Sequence, residues 1–328
     1  MKSFCLTALL FITLAGCSSN QSALNAHGHS AIALQHLIIG MIVICTVIWL
    51  IVTGFLAWTL IRRGEVRQDE VSTRIMTTSV KSAATATAVI VAGLTLASFY
   101  TTRSLSISGH PAVVVTVKAQ QWWWQFIYKD QNDVTIFQTA NELHVPVGEN
   151  VQLELESIDV IHSFWVPSLA GKLDLIPGRR NLLTLRADRP GIYRGQCAEF
   201  CGLQHSHMAL LVIAQDEVDF QRWAAGQAAA AIEPTVEEAS AGKAVFNSKP
   251  CAACHTVRGT PAVGTSGPDL THVGGRQTIA AGLLQTTRGS LAAWIADPQT
   301  VKPGNNMPTV PLTSDELRQL AAYMETLK

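Results

Sequence analysis

The sequence lacks a net charge, because 24 Lys and Arg residues balance 24 Asp and Glu residues over 328 positions. Proteins that bind nucleic acid through its phosphates carry an excess of positive charge, so this balance argues against a nucleic-acid partner. Charge is absent altogether from residues 37–61, "LIIGMIVICTVIWLIVTGFLAWTLI". Since a bilayer core takes roughly 20 helical residues to cross, this run predicts a membrane-spanning helix over residues 36–61.

Lys and Arg are missing from residues 18–35, whereas five of them occur within residues 62–81. An uncharged run rich in Ala and Thr, from Ser82 to Thr102, predicts a second spanning helix over residues 82–103. Positive loops stay on the cytoplasmic side of a membrane. The pattern therefore predicts a cytoplasmic loop at 62–81, with the rest of the chain after Arg103 on the exported side.

The first residues have the pattern of a processed leader. One basic residue and an apolar stretch precede Leu14-Ala15-Gly16-Cys17, which is typical of a lipoprotein-type signal peptide over residues 1–17. An ordinary signal peptide or an uncleaved anchor is the alternative. Residues 18–35 would then be a short exported segment, and we expect its His27 and His29 to lie in a flexible tail.

Short runs rich in Val, Ile and aromatic residues follow the membrane segments. They are separated by Pro-Gly and Val-Gly-Glu-Asn turn signals, a pattern that predicts an all-β sandwich or barrel over residues 109–215. Residues 216–236 predict a short helical stretch and an Ala/Glu-rich linker. Residues 237–328 have helical patterns at both ends around a Gly/Pro-rich middle.

The C-terminal region contains "CAACH" at residues 251–255. In such a box Cys251 and Cys254 form thioethers to haem and His255 ligates the iron. A thioredoxin-like site or half of a zinc site is the alternative, but the sequence has no second CxxC and no βαβ pattern around this one. Met307, in the Pro-rich "PGNNMPTVPL", is the expected second axial ligand. Met324 has the spacing of a helix core and His272 is a weaker rival.

The segment "GQCAEFCGLQHSHM", residues 195–208, combines thiol, imidazole and thioether groups. Two thiols on the oxidising exported side would form a disulfide unless a metal held them, and soft ligands of these types select copper. A single blue-copper ion needs one Cys, but two Cys can bridge two copper ions with one His each. His162, at the end of a predicted strand, is the candidate for the second His.

Two families share these motifs. "DVIHSFWVPSLAGKLDLIPGR" together with "GQCAEFCGLQHSHM" resembles the dinuclear CuA domain of cytochrome c oxidase subunit II, and "AGKAVFNSKPCAACHTVRG" with the final helix resembles a class I cytochrome c. The whole chain thus resembles subunit II of a bacterial caa-type oxidase. That resemblance implies a multidomain membrane protein with a two-helix transmembrane hairpin, an all-β cupredoxin-like sandwich and an all-α cytochrome c domain.

The resemblance also assigns site residues. The CuA ligands it implies are His162, Cys197, the backbone carbonyl of Glu199, Cys201, His205 and Met208. The carboxylate of Glu199 would reach a magnesium ion shared with subunit I. Trp122, the first residue of the "QWWWQ" triplet, matches the position of electron entry, although three successive Trp residues can also serve only as sheet packing. His144 and His207 are expected not to be ligands.

The implied function is electron input. Electrons would pass from cytochrome c through covalent haem c and CuA to haem in subunit I, where oxygen is reduced to water and protons are translocated. The implied location is the bacterial inner (cell) membrane, crossed twice, with both redox domains exported and with subunit I and other oxidase subunits as partners. One departure from the family is the lack of an acidic residue where the predicted second helix begins, near Ser82.

Other classes of protein share part of this motif set. A quinol-oxidase subunit II would lack the copper ligands, and a nitrous oxide reductase would need a large His-rich catalytic domain that this sequence does not contain. A membrane-anchored copper and haem sensor or metal-transfer protein could use a similar ligand set.

Overall fold

The computed structural model of the chain describes residues 21–62, 70–105 and 111–328. The predicted signal peptide with Cys17 lies outside these residues, as does part of the predicted cytoplasmic loop. One compact unit comprises the described residues up to Ala31 together with those after Gly109, and the other comprises the described residues from Ile32 to Ser108.

Two long helices, α1 (His29–Arg62) and α2 (Glu70–Ser104), are long and apolar enough to cross a membrane, and their apolar windows are not buried in protein. Both extend beyond the predicted spans, since polar residues outside a bilayer can continue a helix. In α2, Thr hydroxyls bond the carbonyl four residues earlier, as Thr87 does to Ala83 and Thr95 to Val91, at 2.9 and 2.8 Å. These bonds satisfy the hydroxyls without water, so a Thr-rich helix suits a membrane.

Helix α2 has an acidic residue in its first turn. The helix begins at Glu70, which lies in its first turn. The absence of an acidic group noted for the sequence therefore holds for residue 82 but not for the helix as it is folded.

The segment before α1 is not a flexible tail, which corrects the expectation for His27. The His27 N–H donates to the Ser168 carbonyl at 2.7 Å, and the His27 carbonyl accepts from the Asp188 N–H at 2.8 Å. Gly28 forms an isolated bridge with Ala187, and a Cβ atom at residue 28 would lie only 2.3 Å from the Leu169 carbonyl oxygen. Backbone contacts thus hold residues 27 and 28 against the segments around Ser168 and Ala187.

The β domain, residues 113–215, is a sandwich of two five-stranded sheets. One sheet has the order β3-β2-β1-β5-β8, and the other has the order β4-β10-β9-β6-β7. The strands are β1 (Val113–Gln120), β2 (Trp123–Lys129), β3 (Thr135–Ala140), β4 (Glu142–Pro146), β5 (Val151–Ser157), β6 (His162–Trp165), β7 (Leu173–Leu175), β8 (Asn181–Leu185), β9 (Gly191–Cys197) and β10 (Ala209–Gln215).

Alternation of inward and outward residues builds the core of the sandwich, as in β2, where every second side chain is buried. Trp124, Phe126 and Phe164 are fully buried between the sheets. Helix α3 (Glu217–Ala228) covers one edge of this core. Its Trp223 ring stacks on His144 with centroids 3.8 Å apart, so His144 serves packing in the sandwich.

The helical domain, residues 237–328, follows an extended linker. Its elements are α4 (Glu237–Ser248), α5 (Cys251–Cys254), β11 (Thr278–Ile279), β12 (Leu284–Gln285), α6 (Arg288–Ala296), α7 (Pro298–Val301) and α8 (Ser314–Thr326). Helices α4 and α8 pack together, and Gly242 permits the approach, because a Cβ atom there would lie 2.0 Å from the Gln319 carbonyl oxygen. Thr313 and Glu316 form a capping box that begins α8.

Candidate copper and haem sites

Six donor groups expected from the sequence converge in one cluster of the β domain. The two sulfur atoms of Cys197 and Cys201 lie 3.7 Å apart. The remaining contacts to these sulfurs are His162 Nδ1 at 3.8 Å and Glu199 O at 3.1 Å from Cys197, and His205 Nδ1 at 3.5 Å and Met208 Sδ at 3.9 Å from Cys201. Each cysteine therefore has one imidazole and one weaker donor beside it.

Strand topology explains how distant residues meet in this cluster. His162 begins β6 and Cys197 ends β9, and these strands are antiparallel neighbours. The chain then loops through residues 198–208 and returns as β10, which pairs with β9. Gly202, with φ of +108°, allows this loop to pass close to the first sheet, because a Cβ atom there would lie 2.9 Å from Gln121 Nε2.

Asp159 fixes the orientation of His162. Its Oδ1 atom lies 2.8 Å from His162 Nε2, which leaves Nδ1 directed toward Cys197, and its Oδ2 accepts the Gln121 N–H at 2.7 Å. A carboxylate on the outer nitrogen of a ligating histidine sets its tautomer and raises its basicity. Asp159 therefore contacts both a candidate copper ligand and the backbone of the turn before Trp122.

The chemistry of the donor set fits a soft metal. The hydrogen bond from the Cys201 thiol lowers the pKa of Cys197, and contact with His162 adds to the effect against the cost of burial. The same bond to Cys197 raises the pKa of Cys201. Copper bound by these groups would take the place of the proton, and the five side chains that carry sulfur or face it are all of types that bind copper.

The second site is a cavity of about 390 Å³ in the helical domain, with walls from both domains. Cys254, His255 and Met307 line it, and Cys251 stands one turn before Cys254 on α5. His255 Nδ1 lies 2.8 Å from the Pro268 carbonyl oxygen, so the other ring nitrogen is free to face an iron. Burial lowers the pKa of His255, which favours the neutral imidazole that a metal needs.

The loop before α8 holds Met307 at the cavity. The Met307 N–H donates to Asn305 Oδ1 at 2.7 Å, and the Met307 carbonyl accepts from Gln299 at 2.9 Å. Of the two rival ligands, Met324 also lines the cavity but is packed in the helix core, and His272 instead contacts the Ala229 carbonyl at 3.1 Å.

A further feature of this cavity fits haem. Arg276 lines the wall, and its Nε atom is buried without a hydrogen-bond partner. A guanidinium suits a carboxylate, and haem carries carboxylates as its propionates. The covalent motif, the paired axial candidates and this arginine together match the group.

Trp122 lies between the two sites. It lines the cavity, is only 8% exposed, and donates from Nε1 to the Cys201 carbonyl at 2.9 Å. Gln121, whose Nε2 donates to the same carbonyl at 2.7 Å, was not singled out from the sequence. Such a contact between a turn and a distant loop has no local sequence signal.

Two other predicted roles can be compared with their positions. His207 Nδ1 lies 2.9 Å from Gln204 Oε1, and His207 makes none of the contacts to Cys197 and Cys201 described above. Among the described residues, one group of three or more His, Cys, Asp or Glu side chains has its ligand atoms close enough for a metal, and it consists of His162, Cys197 and Cys201. Glu199 is half-buried and does not belong to this group.

Sequence comparisons agree with both sites. The family "Cytochrome C oxidase subunit II, periplasmic domain" matches residues 113–215, and the family "Cytochrome c" matches residues 239–328. Cytochrome c oxidase subunit 2 of Alkalihalophilus pseudofirmus is 41% identical over 222 residues, 67% of this chain and 63% of that protein. Its counterpart in a Bacillus species is 36% identical over 229 residues, 66% of this chain and 62% of that protein.

This chain thus matches less than two thirds of the length of each of these relatives. A solved structure, the periplasmic domain of subunit II of cytochrome oxidase from Bradyrhizobium japonicum, is 26% identical with a TM-score of 0.34 and covers 37% of this chain and 96% of its own. The two family matches identify residues 113–215 as a cytochrome c oxidase subunit II periplasmic domain and residues 239–328 as a cytochrome c domain.

Proposed function

We propose that the chain is the electron-input subunit II of a respiratory cytochrome c oxidase. The observation that carries this proposal is the convergence of six copper donors around Cys197 and Cys201, joined through Trp122 to a cavity with the haem-attachment motif. Cys251, Cys254, His255 and Met307 would hold haem c. His162, Cys197, the carbonyl of Glu199, Cys201, His205 and Met208 would hold two copper ions.

When bound, haem c and the copper pair would each supply a one-electron redox couple. The residues around them supply rigidity and a dry environment. Asp159 and the Pro268 carbonyl fix one imidazole in each site. Cys197, Cys201 and Met208 are each at most 3% exposed. Rigid, buried ligands keep reorganisation small between oxidation states.

The proposed function also implies a membrane location, an electron donor and partner subunits. Helices α1 and α2 would anchor the chain in the bacterial inner membrane, with both redox domains on the exported side and Cys17 as a lipid attachment site. Cytochrome c would be the donor. Subunit I would reduce oxygen and couple this to proton translocation, and its contact with this chain would complete a magnesium site at Glu199.

Copper and iron stoichiometry together with electron paramagnetic resonance (EPR) would test the proposal on the full chain. We expect two coppers per covalent haem and a signal from one electron shared over both copper nuclei. A single-copper spectrum, or a disulfide between Cys197 and Cys201 without copper, would contradict the CuA assignment and leave the haem domain alone.

A further inference from the structure

One buried lysine of the helical domain bonds directly to the β domain. Lys302, in the loop that leads to Met307, is 2% exposed. Its ammonium group donates to the carbonyls of Trp122 at 2.7 Å, His207 at 2.8 Å and Ala280 at 3.3 Å. The first two acceptors belong to the β domain and the third belongs to the helical domain.

The chemistry of Lys302 is unusual for a packing residue. A buried ammonium normally pairs with a carboxylate, because leaving water is costly for a charge. Here the acceptors described are three backbone carbonyls, which match the three N–H donors of an ammonium group. A hydrophobic side chain of similar length would fill the space but could not bond any of them. The position therefore depends on the N–H donors of Lys302.

Two of the carbonyls that Lys302 binds belong to residues beside the candidate copper ligands, Trp122 and His207. Trp122 donates to the Cys201 carbonyl, and His207 lies between the copper-ligand candidates His205 and Met208. Gly304, two residues after Lys302, lies over the Trp122 ring, since a Cβ atom there would be 3.7 Å from it. The loop thus contacts Trp122 through both a hydrogen bond and van der Waals packing.

A second contact between the domains lies beside the first. The buried carboxylate of Glu142, at the start of β4, accepts the N–H groups of Gln277 at 2.5 Å and Thr278 at 3.1 Å. The carbonyl of Ala281 also accepts the Ala209 N–H at 3.1 Å. These bonds involve residues on both sides of Ala280 in the sequence, so the helical domain is held at more than one point.

We propose that Lys302 is a positioning residue that fixes the helical domain on the Trp122 face of the β domain, and thereby sets the rate of electron transfer from haem to copper. This inference rests on the proposed function, because it assigns the geometry in which the two centres of that function exchange an electron. It places no ligand or reacting atom on Lys302 itself.

The test uses the full chain in the assembled oxidase, loaded with copper and haem, and compares Lys302→Met with the wild type. Lys249→Met is the matched control, because Lys249 bonds Glu316 and Pro311 inside the helical domain. Pulsed EPR between oxidised copper and ferric haem would report the spread of interdomain distances. Flash photolysis would report the rate of electron transfer between them.

For Lys302→Met we expect a broadened distance distribution and at least a tenfold slower transfer, because the fraction of molecules with the helical domain docked on Trp122 falls. The copper EPR signal and haem absorbance should stay unchanged, which separates a positioning role from damage to either site. Lys249→Met should match the wild type in both measurements. An unchanged distribution and rate in Lys302→Met would overturn the inference.

A second variant keeps the test decisive if Lys302→Met fails to assemble. Glu142→Ala removes the acceptor for Gln277 and Thr278 and leaves Lys302 in place, so we expect the same broadening and slowing to a smaller extent. If Glu142→Ala then behaves as the wild type, the bonds of Glu142 do not hold the domain. Lys302→Gln, which is too short to keep all three carbonyl bonds, then decides, and a wild-type distance distribution and rate in that variant would overturn the inference. Loss of the two-copper signal in the wild type would instead defeat the proposed function.

Discussion

Single carboxylates connect residues that lie far from one another in the sequence. Asp159 is the clearest case, because one of its oxygens contacts His162 and the other accepts the backbone N–H next to Trp122. Outer-sphere partners of this type hold a ligating imidazole in place. Asp159 therefore connects the copper cluster with the turn that carries Trp122.

Asp159→Asn should weaken copper binding by about tenfold to a hundredfold, because an amide does not polarise His162 as a carboxylate does. Competition with a copper chelator would measure the affinity, and EPR would show whether the two coppers remain equivalent. Asp219→Asn, on the exposed face of α3, is the control. Equal affinity in Asp159→Asn and the wild type would contradict the role given to Asp159.

Glu154 stabilises the first sheet of the β domain. Burial opposes its ionisation, but hydrogen bonds from Lys129 and Thr116, at 2.9 and 2.8 Å, outweigh that effect and lower the pKa of Glu154. A carboxyl group with a lowered pKa in the folded state adds stability above its unfolded pKa and loses it as the pH falls.

Glu154→Gln should therefore reduce the free energy of unfolding by about 2 kcal/mol at neutral pH. The difference from the wild type should shrink as the pH falls below about 4, where the carboxyl group of the wild type takes up a proton. Denaturant unfolding at several pH values, followed by tryptophan fluorescence, would measure both effects. A difference that stays constant down to acidic pH would argue against an ionised Glu154.

At the scale of elements, helix α8 illustrates how a local signal fixes a boundary. The segment Thr313-Ser314-Asp315-Glu316 has the residue pattern of a capping box, and the structure contains both of its hydrogen bonds. The N–H of Glu316 donates to Thr313 Oγ1 at 3.2 Å, and the N–H of Thr313 donates to Glu316 Oε2 at 2.8 Å. This helix carries Met324 and packs on α4, so its stability supports the haem cavity.

Thr313→Ala should lower the stability of the helical domain by about 1 kcal/mol, because the first turn loses a side-chain acceptor. Thr309→Ala, at an exposed position in the preceding loop, should change stability little. Thermal unfolding monitored by haem absorbance would compare the two variants. Equal losses in both would mean that the capping box adds nothing to this domain.

Elements were predicted with uneven success. The β character of residues 113–215 followed from alternating patterns and turns, and the order of its strands did not, because pairings such as β1 with β5 join segments that are not neighbours in sequence. The positions of α1 and α2 followed from missing charge. Their ends did not, since composition marks the apolar centre of a helix and not the polar turns beyond it.

For the whole molecule, the contact between domains decides where an outside donor can act. Trp122 is 8% exposed and lies against the loop with Gly304, so the helical domain covers it. A soluble cytochrome c would therefore meet the helical domain first. Electron entry at Trp122, proposed from the resemblance, becomes an internal step between the two centres.

Trp122→Phe should accordingly slow haem-to-copper transfer while leaving the KM for cytochrome c unchanged. The reason is that the indole N–H bond to the Cys201 carbonyl is lost, whereas the surface that meets the donor is not altered. Steady-state kinetics and flash photolysis on the same preparation would separate the two quantities. A raised KM would indicate that cytochrome c binds at Trp122 directly.

The sequence by itself determined the chemistry of this protein. Residue types at short spacings, such as Cys-x-x-Cys-His and the Cys, His and Met residues within 197–208, specify soft-metal and haem ligands, because ligand chemistry is a property of the side chain. The tertiary structure alone decided which distant groups complete each site. Asp159 meets Gln121, and Lys302 meets Trp122, through packing of strands and domains, and such contacts leave no periodic or local pattern in the sequence.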